Sequence, residues 1–96
     1  MYGTVARMRV KPGMEQRLQE LTEEYEGLDV DGYVDTIVYR MDADPNEYYM
    51  AVIFEDKDSY VANADSPEQD ARYREFLELL EGEPEWHDGE IVYMRG

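Results

Sequence analysis

The sequence predicts one α+β domain built on an antiparallel sheet, and two observations carry this prediction. Short segments with period-two alternation of apolar residues enclose longer segments in which apolar residues recur every three or four positions. Their order along the chain is strand, helix, strand, strand, helix, strand, which favours the ferredoxin-like arrangement with the helices on one sheet face. A chain of 96 residues fits a single domain over residues 1–96.

The first strand and the first helix follow directly from the N-terminus. Apolar residues at alternate positions predict a strand that ends at Lys11-Pro12-Gly13. Helical spacing then predicts about four turns of helix, since one stripe is formed by Met14, Leu18, Leu21, Tyr25 and Leu28. Gly27 is expected to lie at the end of this helix.

A hairpin is predicted in the middle of the chain. Residues Tyr33–Met41 and Tyr48–Phe54 are rich in β-branched and aromatic side chains, and the polar segment Asp42–Asn46 separates them. The two segments therefore predict strands two and three, joined by a tight turn.

The second half of the chain starts with a short helical turn, for which Asp58 is the expected cap and Ala64 the end. Ser66 then suits the N-cap of the second main helix, with Pro67 at its first position and Gln69 three residues after the cap. Gly82 and Pro84 are expected to end that helix. The predicted last strand covers residues Ile91–Met94.

The composition limits the classes of molecule that the protein is expected to bind. Twenty-four Asp and Glu against nine Lys and Arg give a formal charge of -15, which opposes binding to nucleic acids and to anionic membranes. Cysteine is absent and His87 is the only histidine, so no metal site is predicted. No signal-like N-terminus and no apolar run of about 20 residues are present, so a cytoplasmic location is expected.

The strands are apolar on both sides, which predicts a homodimer. Strand three places Tyr48, Met50 and Val52 on one face and Tyr49, Ala51 and Ile53 on the other. The helices of one chain cover only one sheet face, so the sheet of a second copy is the simplest cover for the other.

Several motifs together resemble the antibiotic biosynthesis monooxygenase superfamily of dimeric α/β-barrel proteins. The resemblance covers nearly the whole chain and rests on Ala6–Gly13, Asp44-Pro45, Phe54-Glu55, Ser66-Pro67 and Gly82–Gly89. It implies a ferredoxin-like fold, a dimer and oxygenation of electron-rich aromatic molecules by dioxygen, often without a cofactor. A related branch degrades heme, but that branch would require Asn, Trp and His where this chain has Arg7, Asn63 and Tyr73. Heme degradation is therefore not expected.

Three residues are the predicted catalytic group. The oxygenating branch resembles this chain at Asn63 and Tyr73, although Pro67 stands where a Trp would lie between them. His87 is the candidate general base, because it is the side chain whose ordinary pKa lies nearest neutrality. The alternatives are that His87 is an exposed turn or dimer-contact residue and that the Tyr73 ring belongs to the core.

Four further residues are predicted to bind the substrate. Arg7 and Arg40 lie on strands, where they either form salt bridges or hold a phenolate or carboxylate. Tyr33 either lines an aromatic cavity or fills the core, and Trp86 either forms a pocket wall or anchors the core or the dimer interface. The resulting hypothesis is a cofactor-independent monooxygenase acting on a phenolic or quinol-like small molecule. The alternative is a non-catalytic dimeric barrel that binds a small apolar ligand.

Overall fold

The computed structural model of the chain describes residues 1–95, which form a four-stranded antiparallel sheet and three helices. The elements in chain order are β1 (Tyr2–Arg9), α1 (Glu15–Glu26), β2 (Tyr33–Arg40), β3 (Glu47–Phe54), α2 (Lys57–Ala64), α3 (Pro67–Leu77) and β4 (Glu85–Glu90). The strand order is β2-β3-β1-β4. This is the ferredoxin-like α+β fold that the sequence predicts.

The core lies between the sheet and the helices. Alternate residues of β1, among them Ala6 and Met8, are almost completely buried on the covered face. They pack with Leu18 of α1 and with Leu79 and Leu80. Burial of such apolar side chains is the main contribution to folding, at about 25 cal/mol per Å².

The N-cap of α3 is as predicted, and that of α2 is not. The Ser66 hydroxyl accepts a hydrogen bond from the Gln69 amide at 3.1 Å. Helix α2 is capped by Asp56, whose carboxylate accepts from the Ser59 amide at 2.7 Å. The prediction of Asp58 was wrong because Asp56 has the extended backbone of an N-cap, whereas Asp58 already lies in the first helical turn. No helix within residues 1–95 combines the length and the apolar character that crossing a membrane requires.

Helix α3 ends at Leu77, earlier than Gly82 and Pro84 suggest. The chain leaves the helix so that Leu79 and Leu80 can be buried beside the end of β1. The Lys11 amide donates to the Leu79 carbonyl at 2.8 Å, and Val10 forms a bridge with Leu80. Tertiary pairing therefore overrides the local stop signal.

Strand β4 also lies earlier than the predicted residues Ile91–Met94. It pairs with β1 from Glu85 opposite Arg7 to Glu90 opposite Tyr2. The Ile91 amide still reaches the Met1 carbonyl at 2.9 Å. Because β1 begins at Tyr2, opposite Glu90, the pairing of the two strands ends there. Residues 92–95 belong to no strand, and Val92 and Tyr93 are 87% and 79% exposed.

The second face of the sheet is uncovered in the single chain. Val5, Ile37 and Tyr39 lie on this face and are 48%, 43% and 55% exposed. We call it the open face, and the other the covered face. Some of the candidate site residues lie on the covered face, and others lie on the open face.

Candidate functional site

A cavity of about 700 Å³ lies between the covered face of the sheet and the helices. This volume is within the range of small-molecule sites. On the sheet side the wall includes Thr4, Val52, Trp86 and Asp88, and on the helix side it includes Tyr25, Asn63, Arg72 and Tyr73. The wall is mostly apolar and aromatic, with a few polar groups that can orient a ligand.

On the helix side, Asn63 of α2 holds the Tyr25 hydroxyl. The Asn63 side-chain amide donates to the Tyr25 oxygen at 3.1 Å. Burial raises the pKa of Tyr25, and the hydrogen bond from Asn63 partly opposes that effect. Because the Tyr25 oxygen already accepts a bond, its own proton remains available for an acceptor on a ligand.

Tyr73 and Trp86 form a second pair, which joins α3 to β4. Their rings are 6.0 Å apart, and the Trp86 indole N–H donates a long bond of 3.4 Å to the Tyr73 oxygen. An indole nitrogen can only donate, so the Tyr73 proton is also available to a ligand. Tyr25 and Tyr73 thus present two phenolic donors to the same cavity.

Arg72 gives the helix side a positive charge. Its guanidinium lies 5.4 Å from the centre of the Tyr25 ring and donates to the Gln69 side-chain oxygen at 3.2 and 3.0 Å. Among the acidic residues along the wall, Glu24 and Glu75 share Arg17, and Asp70 pairs with Arg74. A cation in this position favours a ligand oxygen that carries negative charge.

On the sheet side, Tyr60 and Asp88 form a hydrogen-bonded pair. The Tyr60 hydroxyl donates to an Asp88 carboxylate oxygen at 2.8 Å. Burial, together with this bond to a carboxylate, raises the pKa of Tyr60 to about 12. Tyr60 therefore stays protonated at neutral pH, and its hydroxyl continues to donate the hydrogen bond to Asp88.

The structure brings together three of the predicted site residues and places a fourth beside them. Asn63, Tyr73 and Trp86 all line the cavity. Tyr33 lies behind the wall, where its ring packs edge-on against Tyr25 at 5.0 Å and Phe54 at 5.8 Å. These four residues are near the same space, as the prediction of an aromatic pocket requires.

The other three predicted residues lie away from the cavity. Arg7 is on the open face, where it pairs with Glu47 at 3.2 Å, and Arg40 is exposed at the end of the edge strand β2. His87 lies opposite Val5 on the open face, and its Nε2 is 3.0 Å from a Glu85 carboxylate oxygen. The alternation of side chains along β4 explains the position of His87. Trp86 and Asp88 on either side of it face the cavity, so His87 faces the opposite side of the sheet.

Four cavity residues were not singled out for function from the sequence: Tyr25, Tyr60, Arg72 and Asp88. Tyr25 belongs to the apolar stripe of α1, where its ring is expected in the core. Its hydroxyl could have been noticed only because a tyrosine in such a stripe needs a polar partner. The sequence carries no comparable signal for Arg72 or Asp88, since their position depends on how α3 and β4 meet across the sheet.

Within residues 1–95, no group of three or more His, Asp or Glu side chains is arranged to hold a metal ion. The polar groups of the cavity are hydroxyls, one amide, one guanidinium and carboxylates. Such groups can bind and orient an organic molecule through hydrogen bonds.

The domain therefore combines a ferredoxin-like fold with an aromatic cavity under its helices. The chain belongs to the antibiotic biosynthesis monooxygenase family, because the model of that family matches residues 1–75. A comparison with curated proteins finds no match.

Solved structures of similar fold span enzymes and proteins without an assigned activity. A cofactor-independent oxygenase from Streptomyces nogalater, SnoaB, is 14% identical with a TM-score of 0.81, and the match covers 97% of this chain and 94% of that one. A proposed antibiotic biosynthesis monooxygenase from Chloroflexus aurantiacus is 21% identical with a TM-score of 0.78, over 99% and 96% of the two chains. A conserved protein from Methanosarcina mazei is 24% identical with a TM-score of 0.76, over 92% and 89%. At these identities the likeness establishes the fold.

Proposed function

We propose that this protein is a monooxygenase that oxygenates a phenolic or quinol-like aromatic molecule without a cofactor. The observation that carries the proposal is the pair of phenolic donors, Tyr25 and Tyr73, whose oxygens each accept an N–H bond inside one aromatic cavity. Family membership supports the reaction class, and the similar fold of a cofactor-independent oxygenase is consistent with it.

The overall reaction consumes one dioxygen per substrate. A phenol loses the hydrogens of one ring C–H bond and of its O–H bond. One oxygen atom becomes the new carbonyl of a quinone, and the other leaves as water with those two hydrogens. The substrate supplies all the electrons, so the balance requires no external reductant.

The helix side of the cavity fits the first step of such a reaction. A phenol must lose its proton to become an anion rich enough in electrons to reduce dioxygen. The Arg72 guanidinium and the hydroxyls of Tyr25 and Tyr73 would stabilise the phenolate oxygen, since preorganised donors and charges act on the negative charge that this oxygen carries. Stabilisation of the anion lowers the pKa of the bound phenol.

The proton of the phenol needs an acceptor, and there are two candidates, His87 and solvent. The sequence-based hypothesis assigns this role to His87, which lies on the open face in the single chain. The cavity geometry favours release of the proton to solvent from a substrate that binds as its anion. The dependence of the rate on pH distinguishes deprotonation by His87 from release of the proton to solvent.

We also propose that the working unit is a homodimer in which the open faces of two sheets meet. The exposed apolar side chains of that face, Val5, Ile37 and Tyr39, support this proposal. The exposed side chains of Val92 and Tyr93 after β4 add apolar surface that a second copy can cover.

Oxygen consumption with a panel of quinols and anthrones, with and without added flavin or iron, tests the proposed reaction. We expect uptake of dioxygen without either addition. Tyr73→Phe removes one donor and should lower the rate by about 100-fold, the usual effect of losing one such donor. Tyr2→Phe is the matched control, because Tyr2 does not line the cavity and phenylalanine keeps its edge-on packing against Tyr60, so the rate should equal that of the wild type.

Two outcomes would contradict the proposal. A dependence on flavin or iron would exclude cofactor-free oxygenation. Saturable binding of the same compounds without any uptake of dioxygen would instead identify a non-catalytic binding protein.

A further inference from the structure

Gln69 follows the N-cap of α3, but its side chain does not take part in the cap. The Ser66 hydroxyl accepts a hydrogen bond from the Gln69 backbone amide at 3.1 Å, as in a capping box. The Ser66 amide, which would receive the return bond from Gln69, donates instead to the Asn63 carbonyl at 3.1 Å. The Gln69 side-chain oxygen accepts from Nε and Nη2 of Arg72, at 3.2 and 3.0 Å.

Arg72 differs from the other arginines on the helices because its partner is neutral. Arg17 pairs with the carboxylates of Glu24 and Glu75, and Arg74 pairs with Asp70. Arg72 lines the cavity and forms no salt bridge with any of residues 1–95. An amide oxygen fixes the direction of a guanidinium through two hydrogen bonds and leaves its charge uncompensated. A carboxylate in the same place would neutralise it.

A further contact fixes the position of this charge in the cavity. The Arg72 guanidinium lies 5.4 Å from the centre of the Tyr25 ring, and the Tyr25 hydroxyl accepts from Asn63. Gln69 and Arg72 are both half-buried and both line the cavity. A charge in partly desolvated surroundings acts more strongly on a ligand than the same charge in water.

We propose that Gln69 is a specificity-determining residue, whose neutral amide positions Arg72 and keeps its charge available, so that the cavity binds a phenolate in preference to the neutral phenol. This inference rests on the proposed function and adds to it the residue that sets the charge preference of the site. A glutamate of the same length would form an ordinary i,i+3 ion pair with Arg72 and cancel that preference.

The other titratable groups of the cavity wall do not supply the preference. They are the carboxylates of Glu24, Asp70, Glu75 and Asp88 and the phenols of Tyr25, Tyr60 and Tyr73. Carboxylates repel an anion, and among the wall residues that the structure describes Arg72 is the only cation. All these groups are the same in the wild type and in the variants at position 69, so their effects cancel when the affinities are compared.

Calorimetric titration with two naphthalene probes tests the proposal independently of turnover. One probe is a nitronaphthol, which is an anion at mildly alkaline pH, and the other is its methyl ether, which cannot ionise. Gln69→Glu should weaken binding of the naphtholate about tenfold and leave binding of the ether within about twofold, since only the anion responds to the lost charge. The absorbance of the bound naphtholate gives a second measurement, and the pKa of the bound nitronaphthol should rise by about one unit in this variant.

Two further variants separate the role of Gln69 from net charge and from folding. Gln16→Glu adds the same charge on α1, at an exposed residue that does not line the cavity, and should keep the preference of the wild type. Gln69→Met has a similar length but no acceptor and no charge. It should weaken naphtholate binding about fivefold, the effect of losing a hydrogen bond that holds a charged group, and bind the ether as the wild type does.

An unchanged ratio of naphtholate to ether affinity in either Gln69 variant would overturn the proposal. An equal loss in Gln16→Glu, or the absence of saturable binding to the wild type, would also do so. If the ratio falls as expected but no substrate leads to consumption of dioxygen, the monooxygenase function fails and the role of Gln69 stands. Consumption of dioxygen with an unchanged ratio would leave the function in place and remove the role of Gln69.

Discussion

At the scale of single residues, the alternation of side chains along β4 determines what the site contains. Trp86 and Asp88 belong to the cavity, and His87 between them belongs to the open face. The sequence shows that His87 is the only histidine but cannot show which face it occupies until the register of β4 against β1 is known. Asn63 and Tyr73 could be proposed from the sequence because the family resemblance matched them residue by residue.

The pH dependence of the rate distinguishes a substrate that binds as its anion from catalysis by His87. Without a protein base, the apparent pKa of the rate should follow the pKa of each phenol across a substrate series. With His87 as the base, it should be the same for every substrate. We expect the first pattern, measured as kcat/KM against pH for phenols of different acidity.

His87→Ala provides the matching mutational test. The variant should keep a rate within about twofold of the wild type, because the imidazole is exposed and contacts Glu85 outside the cavity. A loss of about 100-fold or more in a correctly folded protein, the usual contribution of a positioned general base, would establish the histidine as the base.

At the scale of helices and strands, local signals predicted the elements well and their ends less well. Ser66-Pro67 predicted the beginning of α3 because the cap requires only neighbouring residues. The end of α3 and the position of β4 depend on pairing with β1 and Val10, from Val10 opposite Leu80 to Tyr2 opposite Glu90, across most of the sequence. Long-range pairing of this kind leaves no local pattern, so the sequence predicted both incorrectly.

The cap of α3 can be tested by substitution. Ser66→Ala removes the acceptor for the Gln69 amide and should lower the free energy of unfolding by about 1 kcal/mol. Urea denaturation measures this change. Ser66→Thr keeps a hydroxyl acceptor at the same position and should stay close to the wild type. An Ser66→Ala variant as stable as the wild type would show that the cap contributes nothing to α3.

At the scale of the whole molecule, net charge and apolar surface act in opposite directions on assembly. A chain with a formal charge of -15 repels a second copy of itself. The open face, however, carries Arg7 and Arg9, which pair with Glu47 and Asp44. These pairs reduce the charge on the open face, and burial of its apolar residues favours association, whereas the net charge of the two copies opposes it.

This balance leads to a prediction about the dimer and its dependence on salt. Light scattering at micromolar concentration should give the mass of a dimer. The dimer should become tighter as salt rises from about 0.01 M to about 1 M, since the Debye length falls from about 30 Å to about 3 Å and the repulsion is screened. Ile37→Asp should give a monomer, because it places a charge among the apolar side chains of the open face. Val61→Asp is the matched control, because Val61 lies on α2 and is 42% exposed, close to the 43% of Ile37. It adds the same charge outside the contact and should remain dimeric. A wild-type monomer at every salt concentration, or dissociation of the Val61→Asp variant alone, would show that the open face does not join two copies.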